Sequence, residues 1–218
     1  EGRELIIDEQ EREAVSYLNL RASKKAKKSN AFRPAFECAR VAKALLLKNA
    51  WRVSYDHCFE VYQEYADTAY LSGEFDIADE IIQLLLEKAK TKLEKASIHR
   101  MQVRQYVISG KDEEAILAGI KASSVLGLKF SMEPSRLSVL KELALVKWNL
   151  GKRSVESLID MPLLEDIEKQ TAMKIAVELS ASVYTIGLEN LFAMLALKGV
   201  NIALRFGNSP QATVSYVG

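Results

Sequence analysis

The side chains of this sequence with the clearest chemical potential are His57 and Cys58, which stand next to each other. An imidazole and a thiol can both bind zinc, but neighbouring residues on a helix point about 100° apart, and no further ligands are spaced to join them. A buried structural role is more typical of such a cysteine. We therefore predict no metal ligand and no cofactor-binding residue in this chain.

Motifs of catalysis and phosphate binding are missing from the sequence. It contains no GxxxxGK[ST] loop, no HExxH and no GxSxG. The HRM triplet at 99–101 lacks the aspartate of a kinase HRD loop, and neither His57 nor His99 stands in the context of a phosphorylated histidine. We predict a segment without a catalytic residue. The alternative is a free-standing all-helical enzyme, which would need carboxylates or histidines clustered in one pocket.

A run of basic residues is the strongest local charge feature. Five of the eight residues at 21–28 are lysine or arginine, and Pro34 follows shortly afterwards. Such a run could bind an acidic partner or nucleic acid, but it has no interleaved aromatic residues for base stacking. The net charge of +1 provides no general attraction to a polyanion. We interpret the run as a hinge or a solvated helix end, and we predict no nucleic-acid partner.

The composition favours a helical protein. Of the 218 residues, 49% are hydrophobic and 27% are charged, while four prolines and ten glycines leave long stretches for helices. The uncharged runs are shorter than the roughly 20 residues of a membrane span, and no secretory signal opens the chain. We expect an all-α protein of the reduced cytoplasm without a membrane span. Because the sequence begins with glutamate and stops inside an amphipathic run, we expect a piece of a longer protein.

Two stretches, "YLSGEFDIADEIIQLL" and "VISGKDEEAILAGIKA", follow the same plan. Gly73 and Gly110 stand 37 residues apart, and so do Ala78 and Ala115. In both copies the glycine follows an apolar helix end, where it can adopt the left-handed conformation, and the alanine lies in a second apolar run. The simplest interpretation is a repeat of two helices per unit.

This repeat divides the chain. We assign residues 1–34 to an N-terminal helix, at 4–20, and a basic linker. Residues 35–218 are assigned to helical repeats, of which 55–91 and 92–129 are the clearest units.

The remaining sequence continues in helices. A third pair could begin with the stretch that ends at Gly151, but Pro162 follows and the register changes there. We predict further helices at about 165–187 and 189–206. The turn residues at 206–210 precede what we expect to be another, truncated helix.

The spacing of small and aromatic residues is similar to that of the tetratricopeptide repeat. The matching positions of the first unit are Tyr62, Tyr65, Ala66, Ala69, Gly73, Phe75, Ala78, Ile82 and Leu85, and those of the second are His99, Gln102, Val103, Tyr106, Gly110, Ala115, Gly119 and Ala122. In such repeats small residues let paired helices approach and large ones fill the gaps. The resemblance implies a superhelix of antiparallel helix pairs, an α–α solenoid, although the period departs from the usual value of about 34.

The resemblance also implies where a partner would bind. The first helix of each tetratricopeptide unit lines the concave surface, and its outer positions here are Gln63, Asp67, Tyr70, Arg100, Arg104 and Val107. Arg100 and Arg104 stand one turn apart, so both guanidinium groups could reach a carboxylate or a phosphorylated segment. The alternative is two solvated arginines. We expect a protein or peptide partner, and the oligomeric state is left open.

A wider resemblance covers most of the chain. The stretches "RASKKAKKSNAFRPAFECARVAKALLLKNAW", "YADTAYLSGEFDIAD", "LEKASIHRMQVRQY" and "LALKGVNIALRFGNSPQATVSYVG" resemble the helical-repeat region of very large bacterial signalling proteins. Such proteins join a serine/threonine kinase-like domain, an AAA-type ATPase, this repeat region and often a sensor with a histidine kinase. The resemblance implies a non-catalytic scaffold for protein–protein or interdomain contact, with partners that include the flanking domains. The effector-binding repeat region of an ATP-dependent transcription activator is the alternative.

Overall fold

The computed structural model describes residues 8–154 and 156–210, and this part of the chain is all-α, as predicted. Its ten α-helices are α1 (Glu9–Lys28), α2 (Phe32–Leu45), α3 (Ala50–Val53), α4 (Tyr55–Leu71), α5 (Phe75–Lys88), α6 (Lys92–Ile108), α7 (Asp112–Val125), α8 (Arg136–Leu150), α9 (Ile167–Thr185) and α10 (Glu189–Phe206). A short 3-10 helix, Glu156–Asp160, lies between α8 and α9. The chain divides into two compact units, Glu1–Ala89 and Lys90–Gly218, called unit 1 and unit 2 below.

Several helices begin where the sequence supplies a side chain for the free amide groups of the first turn. Asp8 Oδ1 accepts a hydrogen bond of 2.8 Å from the amide of Glu11 at the start of α1. At the start of α6, Thr91 and Glu94 form a capping box, in which each side chain accepts from the backbone amide of the other, at 3.1 and 2.8 Å. These contacts are local, and for that reason such helix starts can be recognised in the sequence.

The same three-residue turn joins two helices at four places in the described residues. The left-handed residue of each turn is Asn30 (φ 57°), Gly73 (φ 83°), Gly110 (φ 67°) or Gly187 (φ 74°). The amide of the next residue donates to the carbonyl five positions earlier, at 2.9 to 3.1 Å, as in a Schellman motif. The turns define four hairpins, α1–α2, α4–α5, α6–α7 and α9–α10, whose two helices pack together. Gly73 and Gly110 therefore have the equivalent positions that their spacing predicts.

In unit 1 the two hairpins pack with their first helices parallel. Polar contacts between α1 and α4 extend from Ser16–His57 at one end to Lys27–Asp67 at the other, and the paired residues are always 36 to 41 positions apart. A nearly constant separation means that α1 and α4 run in the same direction. The core where α1, α2 and α4 meet contains Leu20, Ala42 and Val61.

Unit 2 repeats this arrangement with α6 and α9. Arg100 of α6 contacts Glu178 of α9, which is 78 positions later in the chain. The turn glycines Gly110 and Gly187, which follow these two helices, have almost the same separation in sequence, as expected if α6 and α9 run in the same direction. Its core combines residues of both hairpins, among them Val103, Ile116, Ala122, Ile175, Leu179, Leu191 and Leu195. Helix α8 lies outside the hairpin pattern and packs against α10.

The structure differs from the sequence-based expectations in places. The basic run belongs to the last two turns of α1, so it is a helix end and not a hinge, and lysines there suit the negative end of the helix dipole. Two of its cations, Lys24 and Lys27, pair with carboxylates of α4. The predicted boundary at residue 34 falls inside the first turn of α2.

Helix α8 ends at Gly151 as predicted, but none of the described helices forms a hairpin with it, so a third consecutive pair is not formed there. Helices α9 and α10 match the predicted ranges 165–187 and 189–206. The expected helix after residue 210 and the start of the predicted helix at 4–7 lie outside the described residues.

Candidate functional site

A buried row of polar side chains runs between α1 and α4. Glu64, whose side chain is 5% exposed, accepts from the Ser23 hydroxyl at 3.0 Å and from the Lys27 ammonium at 2.6 Å. Lys27 Nζ also donates to Asp67 Oδ2 at 2.8 Å. Burial by itself lowers the pKa of Lys27, but the charges and hydrogen bonds of Asp67 and Glu64 outweigh it and raise that pKa. The row holds two hairpins in a fixed register.

The three predicted partner-binding residues of unit 1 lie on this helix, α4. Asp67 is the carboxylate that pairs with Lys27, so its charge is already balanced within the unit. Tyr70 is 7% exposed, and its ring packs edge-on against Phe75 with centroids 5.0 Å apart, which leaves little of the ring for a partner. Gln63 is half-buried. Their role in partner binding stays a prediction.

The predicted residues of unit 2 have different surroundings from one another. Arg100 forms a bidentate pair with Glu178, with Nε 2.8 Å from Oε2 and Nη2 2.5 Å from Oε1, and this hydrogen bonding raises the arginine pKa. A carboxylate of α9 therefore pairs with this guanidinium group, and a contact of Arg100 with a partner stays a prediction. Arg104 is exposed, and Val107 is 37% exposed. These two remain candidates for contact with a partner.

The adjacent His57 and Cys58 are both buried in unit 1. His57 Nε2 lies 2.9 Å from Ser16 Oγ, and the imidazole stacks on the Tyr17 ring with centroids 3.6 Å apart. Burial lowers the pKa of His57 and raises the pKa of Cys58 to about 12. A thiol held in its protonated form is a poor nucleophile and metal ligand. Within residues 8–154 and 156–210 no cluster of three or more histidine, cysteine or acidic side chains has the geometry of a metal site.

Among the surface clefts of unit 2, two bring charged side chains together. One, of about 340 Å³, contains Lys169, Lys198, Arg205 and the carboxylate of Glu142. Lys198 Nζ lies 3.1 Å from Glu142 Oε2, and Lys169 pairs with Asp166, so most of these charges are balanced inside the unit. The other cleft, of about 470 Å³, lies where the start of α8 faces the start of α10. The hydroxyl of Ser135, which lines the second cleft, caps α8 by accepting a hydrogen bond of 3.2 Å from the amide of Ser138.

An exposed apolar surface on α8 was not found by the sequence reasoning. Leu137, Leu140 and Trp148 are 62%, 60% and 83% exposed, and none of the residues of α8 is buried. The sequence of α8 is rich in apolar residues, but they occur on every side of the helix and therefore predict no single buried face. A helix that is apolar all round is normally covered on more than one face, so this pattern was the available signal that α10 alone would not cover α8.

Comparison with known proteins gives a distant relative. The chain is similar to "Hybrid signal transduction histidine kinase G" of Dictyostelium discoideum, with 23% identity over 168 residues. The match covers 73% of this chain and 5% of the relative. Neither a protein-family profile nor a solved structure matches the chain.

This similarity connects the chain with a region of a signalling protein. The expectations of a bacterial source and of neighbouring AAA-type ATPase and serine/threonine kinase-like domains stay predictions, because the name of the relative states a histidine kinase and its source is Dictyostelium discoideum. None of the helices in the described ranges is both long and apolar enough to span a bilayer.

Proposed function

We propose that this chain is a segment of a tetratricopeptide-like α–α solenoid that acts as a non-catalytic scaffold for protein–protein or interdomain contact in a large signalling kinase. The observation that carries the proposal is the recurrence of one hairpin, with one turn geometry, in both units. A hairpin of this kind buries its apolar face only against its neighbours, and stacked hairpins present extended surfaces. The similarity to a histidine kinase supports the signalling context.

The arrangement of charges supports a scaffold over an enzyme. In unit 1 Lys27 pairs with Glu64 and Asp67 between helices, and Arg100 pairs with Glu178 in the same way in unit 2. Groups engaged in this way fix the register of the hairpins and are not available to move protons to or from a substrate. Exposed side chains on the first helix of a hairpin, such as Arg104, are the ones that can reach a partner.

The test of interdomain contact uses the purified chain and the segments that flank it in its gene product, expressed separately. Arg104→Glu reverses an exposed charge of α6, and we expect it to weaken binding to a flanking segment about 3- to 10-fold, measured by isothermal titration calorimetry. Lys95→Glu is the matched control, since Lys95 is an exposed cation on the opposite side of the same helix. Arg100 is left unchanged, because its substitution would also remove the pair with Glu178. Equal effects of the two variants, or no binding of either segment, would contradict the interdomain role.

The non-catalytic role has its own measurement. The purified chain, incubated with Mg²⁺ and ATP labelled at the γ-phosphate, should neither release phosphate nor become labelled. Phosphate release that copurifies with the chain would show that it is an enzyme.

A further inference from the structure

Helix α8 combines an inner face that packs against α10 with an outer face whose large apolar side chains are mostly exposed. On the inner side, Asn201 of α10 donates to Glu142 Oε1 at 2.7 Å and accepts from Asn149 Nδ2 at 2.8 Å. Lys198 adds an ion pair to Glu142 at 3.1 Å. These contacts determine which side of α8 faces away from α10. The exposure of its apolar residues is therefore a fixed feature of unit 2.

The outer side of α8 carries one continuous apolar stripe. Leu137, Leu140, Ala144 and Trp148 follow each other at intervals of three and four residues, so they share one face over about 16 Å of helix. Because alanine has the smallest side chain of the four, we expect the stripe to form a shallow recess between Leu140 and Trp148. A recess between two large side chains is what a ridge of another helix fills when two helices pack. An exposed tryptophan at one end of such a stripe is a typical anchor of an interface.

The exposed charges that α8 itself places beside the stripe all have the same sign, while the exposed Glu133 lies in the loop just before the helix. Arg136, Lys141 and Lys147 are exposed on α8, and its acidic residue, Glu142, is held by α10. A second copy of this chain would bring the same cations against them, which opposes self-association through this face. A partner with carboxylates on both sides of an apolar stripe would complement it.

We propose that the stripe formed by Leu137, Leu140, Ala144 and Trp148 is a docking site for an amphipathic helix whose apolar face is flanked by aspartate and glutamate. The partner lays its apolar residues along the stripe, and its carboxylates pair with Arg136, Lys141 and Lys147. This inference rests on the proposed scaffold function and specifies the surface and the chemistry of one partner. The recess at Ala144 favours a helix over an anionic membrane, which has no ridge to place there.

The experiment uses the complete 218-residue chain and a fluorescently labelled helical peptide with a leucine stripe flanked by glutamates. We expect binding by fluorescence anisotropy, and about tenfold weaker binding by the double variant Leu140→Glu/Trp148→Ala. The matched control is Ile108→Glu/Tyr184→Ala, which alters an aliphatic and an aromatic residue that are 71% and 78% exposed elsewhere in unit 2. The control should bind within about twofold of the unaltered chain. Circular dichroism verifies that both variants fold.

Four results would overturn the docking site. They are equal binding of a peptide whose glutamates are replaced by lysines, equal binding by the double variant, binding to phosphatidylserine vesicles in place of the peptide, and concentration-dependent dimerisation that the double variant abolishes. The calorimetric titration with the flanking segments is repeated with the double variant. If a flanking segment binds the chain while the peptide does not, the scaffold function stands and the α8 site fails. If only the peptide binds, the α8 site stands and the interdomain scaffold function fails.

Discussion

Replacing Lys27 with methionine removes the ammonium group that joins α1 to two carboxylates of α4. Methionine keeps the length and apolar stem of the lysine, so the packing between the helices changes little. What remains is the Glu64 carboxylate, which is 5% exposed and keeps a hydrogen bond from Ser23 but loses its opposite charge. The variant therefore measures the energetic role of the Lys27 ion pair in the register of the two hairpins of unit 1.

The size of the effect follows from the burial of the two partners. Removing one member of a fully buried ion pair costs about 3–5 kcal/mol, whereas an exposed pair contributes about 0.2–1 kcal/mol. The Lys27 side chain is 26% exposed, so its pair with Glu64 lies between these limits. We expect Lys27→Met to lower the unfolding free energy of unit 1 by about 2 kcal/mol.

The neighbouring Lys24 provides the matched control. It pairs with Glu60 between the same two helices, but the two side chains are 39% and 50% exposed. Lys24→Met should cost less than about 0.5 kcal/mol. The double variant Lys27→Met/Glu64→Gln should regain about 1 kcal/mol, since a neutral amide needs no opposite charge and still accepts from Ser23.

The assay is urea unfolding followed by the fluorescence of Trp51 in a Trp148→Phe background. Trp51 belongs to unit 1 and packs against the Tyr62 ring, with centroids 5.0 Å apart, so its emission reports on this unit. A lower midpoint with an unchanged slope indicates a loss of stability. Equal losses in Lys27→Met and Lys24→Met, or no recovery in the double variant, would refute the assignment of the buried row as the contact that holds α1 on α4.

Three further predictions concern stability. Burial lowers the pKa of His57, although the charges of Glu13 and Glu60 oppose this shift. As the pH falls below about 6.5, the unfolded chain therefore binds a proton at His57 more readily than the folded chain does. The free energy of unfolding of unit 1, measured with urea, should decrease on acidification, and it should decrease less in His57→Gln. A Cβ on Gly119 would come 2.3 Å from Leu179 Cδ1, and this clash outweighs the better helix propensity of alanine. Gly119→Ala should therefore lower the free energy of unfolding by about 1 kcal/mol, and a raised melting temperature would contradict this. Gly73→Ala, at φ 83°, should cost about 1–2 kcal/mol in the same melting assay, while Asn30→Gly should be close to neutral.

The features that the sequence predicts correctly depend on neighbours along the chain. Gly73 and Gly110 can be recognised because a helix that ends in the left-handed conformation favours glycine. The first hairpin is harder to recognise, since Asn30 adopts that conformation in place of glycine (φ 57°). Asparagine tolerates the left-handed region but also occurs in many other settings, so it gives a weaker signal.

The features that the sequence does not predict depend on residues far apart in the chain. The sequence leaves Arg100 as either a partner-binding or a solvated arginine, and in the structure it pairs with Glu178 of its own chain, 78 positions later. Asp67 was expected on an open surface, and Lys27 reaches it from α1. An arginine or aspartate on a helix has the same local pattern whether it faces water, a partner or another helix of its own chain.

By itself the sequence determined the all-α class, the position of two turns and the helices α9 and α10, because capping groups, glycine conformations and apolar periodicity act within a few residues. The tertiary structure alone decided which helices became neighbours, and with that which charges were paired and which apolar face of α8 remained exposed. The physical reason is that burial and pairing depend on distances in space, and contacts such as Lys27–Glu64 and Arg100–Glu178 join residues whose separation in the chain carries no local signal.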